Sequence, residues 1–145
     1  MNYELLFSAA GILAMMGWLL LLASPWVPKW SDRIASLFIP CALASGYVAI
    51  VYLAPTTSGG FGSFPEVVEL FSHPQAVMAG WVHFLAFDLI VGAWICRKAR
   101  AENIPFWFVI PCLPLTFLFG PAGYLAFAMV RLFRKGLTAR QLAHP

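Results

Sequence analysis

Two ionisable residues stand inside a run apolar enough to cross a membrane: His83 and Asp88, in Gly80-Trp81-Val82-His83-Phe84-Leu85-Ala86-Phe87-Asp88-Leu89-Ile90-Val91-Gly92. An ionised carboxylate near a bilayer centre costs roughly 3 kcal/mol on insertion scales. A partner, a proton or a ligand must offset that. As a neutral acid in an apolar site, Asp88 would be a competent proton donor. His83 is open to three roles: general base, haem ligand or hydrogen-bonded packing residue. One histidine alone does not make a haem site, and His73 is about 15 Å away along a continuous helix. No cofactor and no metal are expected.

The two side chains are five residues apart, hence about 140° around a helix and about 7.5 Å along it. Asp88 shares a face with Trp81, Phe84, Gly92 and Ile95, and His83 with Gly80, Phe87, Ile90 and Trp94. Each is expected in its own groove against a neighbouring helix. Candidate partners for Asp88 are Ser45, Tyr47, Thr116 and Tyr124. Trp81, Phe84, Phe87 and Trp94 either line a slot for a polyene or quinone ring or pack against other helices. With Tyr47, Thr116 and Tyr124 they are the candidate ligand-binding residues.

The elements that position these groups follow from composition. Of 145 residues, 61% are hydrophobic and 10% charged. A soluble domain carries about 25% charged residues, so the class is integral membrane protein. The nine Lys and Arg fall into three clusters: Lys29 with Arg33; Arg97, Lys98 and Arg100; Arg131, Arg134, Lys135 and Arg140. All lie at the ends of apolar runs, where they orient the chain and meet lipid phosphates rather than nucleic acid. Cys41, Cys96 and Cys112 are odd in number and form no CxxC pair, which argues against a disulfide or zinc framework.

Four runs are long enough to span: about 5–23, 34–54, 74–96 and 104–130. They are continuous rather than alternating, which excludes a barrel and leaves helices. The expectation is an all-α integral membrane bundle of four transmembrane helices, residues 1–145 forming a single domain. The first run has no basic segment before it and no clean cleavage site after it, so it reads as a retained span and not a signal peptide. Ser63-Phe64-Pro65-Glu66 fits a capping box and should open a short interfacial helix near 64–71. The Gly59-Gly60-Phe61-Gly62 loop has neither the strand–helix context nor the lysine of a phosphate cradle and reads as a flexible lid. Ala10 with Ala14 and Ala42 with Gly46 are small-residue pairs suited to helix packing.

Basic residues are absent from the N-terminus and from the Gly-rich loop, which are therefore expected to face away from the cytoplasm. The fourth run conflicts with this rule, because one crossing would put its basic end outside. Gly120-Pro121 breaks it in either of two readings: a single kinked crossing, or two half-helices, Phe106–Phe119 and Ala122–Phe133, returning to the same side. The single crossing is preferred. His144 is a tail residue without an assigned role.

On Leu70-Phe71-Ser72-His73-Pro74, on 79–89, on Val91-Gly92-Ala93-Trp94-Ile95 and on 115–123, the chain resembles the abscisic-acid-deficient-four-like family of small membrane proteins. The resemblance implies a role in forming neoxanthin, in which a violaxanthin epoxide opens to an allene. That step needs a proton donor and a base, and Asp88 as acid and His83 as base fit in kind. A chain that begins at its first span looks like a bacterial member, placed in the cell inner membrane with several crossings. The expectation is an integral membrane protein of carotenoid or isoprenoid metabolism, in the catalytic case a xanthophyll epoxide isomerase. The alternatives are a non-catalytic scaffold or carotenoid-binding protein, and a redox or small-solute carrier. Its partners would be membrane lipids, a carotenoid-like ligand, a second copy or enzymes of the isoprenoid pathway, and no nucleic acid.

Overall fold

The longest helix organises the rest. In a computed structural model that describes residues 2–56 and 58–143, six helices form and, among the described residues, no strand. We label them α1 (Tyr3–Leu22), α2 (Pro28–Leu53), α3 (Phe64–Leu70), α4 (Pro74–Ala101), α5 (Cys112–Phe119) and α6 (Pro121–Ala143). His144 lies outside the described residues. At 28 residues α4 is about 42 Å long. It buries Val82, Leu85, Leu89, Ala93, Ile95 and Cys96 among its neighbours.

Small residues let α1 and α4 interlock. Gly17 leaves room for the Leu89 side chain, and Gly92 leaves room for the ring of Trp18. A methyl group at either position would meet that neighbour within 3.0 Å. The small pairs expected from spacing are used differently. Ala14 is buried, but Gly46 has open space beside it.

The first turns of α2 are irregular for a reason in the sequence. Ser31–Phe38 runs as a π-helix before the chain becomes α-helical at Ile39. Pro40 has no N–H to give, and its ring would crowd the carbonyl four residues earlier. Wider turns ahead of it relieve the crowding. At the far side of the chain, Ser63 caps α3 through its Oγ, which accepts the Glu66 N–H, and Glu66 accepts the Gly62 N–H in return. The serine half of the capping box forms as expected, and the glutamate reaches one residue further back than the cap.

The Gly-rich loop is a packed cap rather than a free lid. Gly59 adopts φ +81°, and a Cβ there would strike the backbone of Leu70. The Gly60 N–H bonds the Glu66 carbonyl, and Ser58 Oγ lies 2.8 Å from His73 Nε2. The loop is thus closed over α3 and tied to the start of α4.

Among the described residues, three helices are long and apolar enough to cross a membrane: α1, α2 and α4. The run at 104–130 does not make a fourth continuous one. Asn103, with φ +51°, ends α4, and the Ile104 N–H reaches back to the Ala99 carbonyl. After a short 3-10 turn at Phe106–Phe108 comes α5, which stops at Gly120 with φ +42°. There α6 turns back along α5, close enough that a Cβ on Gly123 would run into Thr116 and the Cys112 carbonyl. Arg131 of α6 then grips Glu102, at the end of α4, with two hydrogen bonds. The arrangement is a helical hairpin whose second arm returns, by Arg131, to the end of α4. A fourth span is not found among the described residues: Pro121 removes a donor and Gly120 takes a conformation that ends the helix.

Candidate functional site

His83 lies on the face of α4 turned towards α2. Its ring stacks on Phe87 with centroids 4.5 Å apart and tilts against Tyr47 at 5.6 Å. His83 and Tyr47 stand at one end of a groove of about 400 Å³, with Phe87 behind the imidazole. Ile50, Val51 and Ala54 of α2, Ala76, Ala79 and Gly80 of α4, and Phe61, Leu70 and Phe71 from the capped loop and α3 supply apolar walls. Gln75 and Thr56 add polar groups nearer the loop. Small residues on α4 open the space, and the large side chains of its neighbours close it. A neutral imidazole offers one donor and one acceptor, and a phenol offers both. The groove can therefore hold an apolar ring or chain and hydrogen-bond one oxygen on it.

Asp88 lies elsewhere. It is 7% exposed, with its Oδ2 buried and unpartnered. Its Oδ1 faces the hairpin turn, 2.6 Å from where a Cβ on Gly120 would stand. None of the four expected partners serves it. Ser45 Oγ bonds the Cys41 carbonyl, and Thr116 Oγ1 bonds the Cys112 carbonyl. Tyr47 is against His83, and Tyr124 is against Trp94 at 5.4 Å. The position that matters to Asp88 is Gly120, which the sequence marked only as a break.

The expected ligand-binding aromatics divide into three groups. Tyr47 and Phe87 accompany His83. Trp81 and Phe84 turn towards α1, where Trp81 stacks on Phe7 at 5.0 Å and borders a second, more open cleft with Tyr3 and Glu4. Trp94 packs on Tyr124 and Phe127 beneath Arg131, as the seat of the hairpin. Thr116 is fully buried within the hairpin. The walls from Ile50, Ala76 and Phe71 were missed. Their signal was present as the small residues Ala76, Ala79 and Gly80, which recur on the His83 face of α4.

At the opposite end of α4 the chemistry is ionic. Arg100 bonds Asp32 of α2, and Glu102 receives Arg131 and, at 3.3 Å, Lys98. The hydrogen bond from Arg131 holds the Glu102 carboxyl well below the usual carboxylate range, at about 2. Among the described residues, no group of three or more His, Cys, Asp or Glu is placed to hold a metal ion.

An all-helical chain with three helices of membrane-crossing length and apolarity, and a lateral groove holding one imidazole, has the build of a helical membrane protein. The chain belongs to the ABA DEFICIENT 4-like family, whose model matches residues 5–127. That membership suggests a role related to the neoxanthin and abscisic acid pathway. No curated protein and no solved structure matches it.

Proposed function

We propose that this chain is a multi-pass membrane protein of isoprenoid metabolism that takes one end of a carotenoid-like molecule into the groove beside His83. The observation that carries this reading is the groove itself: about 400 Å³, walled by apolar side chains, with an imidazole and a phenol together at one end. Family membership agrees with a xanthophyll-type ligand. Such a ligand has an apolar polyene and an oxygenated ring, matching apolar walls and a polar end.

Acid–base chemistry on that ligand would use His83 as the base. The acid beside it is Tyr47, not Asp88, because Asp88 faces the hairpin rather than the groove. A xanthophyll epoxide isomerase would need this Tyr47–His83 pair, and a binding protein or scaffold would need only the walls. His83→Gln separates the two readings. It keeps a hydrogen-bonding side chain but removes a base, so it retains pigment in either case and abolishes turnover only in an enzyme.

The hairpin also supports an inner-membrane orientation with the N-terminus outside. The ion pairs Asp32–Arg100 and Glu102–Arg131 join the start of α2, the end of α4 and the returning arm. Basic residues of all three clusters then share one side, and three crossings satisfy the positive-inside rule that four would break. The Gly-rich cap and the mouth of the groove fall on the outer side. An impermeant maleimide on right-side-out vesicles tests this. Phe61→Cys should react from outside and Lys29→Cys only after lysis, and the reverse pattern would refute the orientation.

A further inference from the structure

The hairpin leaves one group without a use in the groove. Asp88 is more than nine-tenths buried, and its Oδ2 has no partner. Its other oxygen is aimed at the Gly120 turn, where α5 ends and α6 begins. We infer that Asp88 and this broken turn form a binding site for one small monovalent cation, a proton or a sodium ion. This does not rest on the groove reading.

Among the described residues, no basic side chain is seen paired with this carboxylate. The stretch of α1 packed on α4, Ala14 to Leu21, carries no charged or titratable side chain. From α2 the candidates are Tyr47, turned to His83, Asp32, bound to Arg100, Lys29 and Arg33 at the basic end, and the exposed Cys41 and Tyr52. In the hairpin, α5 carries only the Cys112 thiol, Tyr124 of α6 packs on Trp94, Arg131 holds Glu102, and Arg134 lies over the Phe108 ring. On α4 itself His83 is stacked on Phe87, five residues away. No N–H of α6 is seen to reach the carboxylate, and Pro121 has none to offer.

The break supplies further oxygens. The Gly120 N–H makes the last helical bond of α5, to the Thr116 carbonyl. The Phe117 carbonyl would next be served by residue 121, which is proline and has no donor. The end of α5 thus leaves carbonyl oxygens without helical donors at the turn that Asp88 faces, where α6 also begins. Interrupted helices in membranes hold small cations in this way. One carboxylate balances one positive charge, which sets the occupant as monovalent. Its binding would fasten the hairpin to α4.

Trp94 reports on that fastening, because it packs on Tyr124 and Phe127 of α6. Purified full-length protein in detergent is titrated with acid in choline chloride, and separately with sodium chloride at a fixed alkaline pH. Trp94→Phe identifies the Trp94 contribution to emission. The expected result is a saturable change in that emission, lost in Asp88→Asn and restored with a moved midpoint in Asp88→Glu. A response to acid alone identifies the proton, and a response to sodium at fixed pH identifies the metal ion. Helical circular dichroism confirms that each variant is folded. If folded Asp88→Asn responds as the parent does, or if the folded parent responds to neither ion, the site does not exist.

Discussion

Arg131 closes on Glu102 with Nε and Nη2 on the two carboxylate oxygens, binding the returning arm of the hairpin to the end of the central helix. A planar fork on a carboxylate is the strong form of this interaction. It fixes where α6 ends and so where Gly120 sits against Asp88.

The Glu102 carboxyl titrates at about 2 in the fold, against 4.5 for the free group. A depressed folded value means that the contribution is fully present above the free value. It is lost as pH falls from about 4.5 to about 2. Docking of the hairpin should therefore hold steady at neutral and mildly acidic pH and weaken below that window. Emission of Trp94, which packs on Tyr124 and Phe127 of the returning arm, followed as a function of pH, reads this. Glu102→Gln should flatten the part of the profile that belongs to this pair. An unchanged profile in that variant would show that the pair does not hold the hairpin.

Gly123→Ala should be among the most damaging single methyl additions. The new carbon would meet Thr116 and backbone atoms of α5, which cannot rotate away. Overpacking of this kind costs about 1–3 kcal/mol. Gly120→Ala adds a left-handed backbone cost of about 1–2 kcal/mol to a collision with Asp88. Thermal unfolding in detergent should place both variants well below the parent, and Gly46→Ala, with open space around it, close to the parent.

Gly17 and Leu89 should behave as a coupled pair. Gly17→Ala alone drives a methyl group into the Leu89 side chain, at 2.6 Å from one Cδ. Leu89→Ala alone leaves a cavity and costs about 2–5 kcal/mol. In the double variant the added carbon partly fills the vacated space. The combined loss should then be smaller than the sum of the two, by about 0.5–3 kcal/mol. Additive losses would mean that α1 and α4 do not meet as described.

Much of this architecture could be read in advance because its causes are local. The runs at 5–23, 34–54 and 74–96 became helices since apolar continuity and backbone satisfaction leave no alternative. Ser63 and Glu66 announced α3. The 140° between His83 and Asp88 already separated the two sites, and the coordinates set them against different neighbours. What stayed hidden depends on pairs far apart in sequence. Nothing near residue 123 says that its glycine will lie on Thr116, and nothing near residue 131 names Glu102. The choice between a crossing and a hairpin turned on those contacts. The groove was half legible: small residues recurred around His83, but Phe61 and Phe71 reach it only because Gly59 lets the loop fold onto α3.

Closure of that loop should govern how fast a ligand leaves. Gly59→Ala collides with the Leu70 backbone, and Ser58→Ala removes the tie to His73. Both should speed release of bound pigment, with Gly59→Ala the larger effect, measured by transfer to empty detergent micelles. Release at the parent rate in both would separate the cap from the groove.

Retention of a hydroxylated carotenoid by the purified protein tests the central claim most directly. The visible absorbance that survives washing is compared between the parent and Ala76→Trp, which places an indole in the groove. We expect about one pigment per chain in the parent and at least about a tenfold loss of affinity in the variant, equivalent to about 1.4 kcal/mol. Equal retention by a folded Ala76→Trp protein, or none by the parent, would contradict the account.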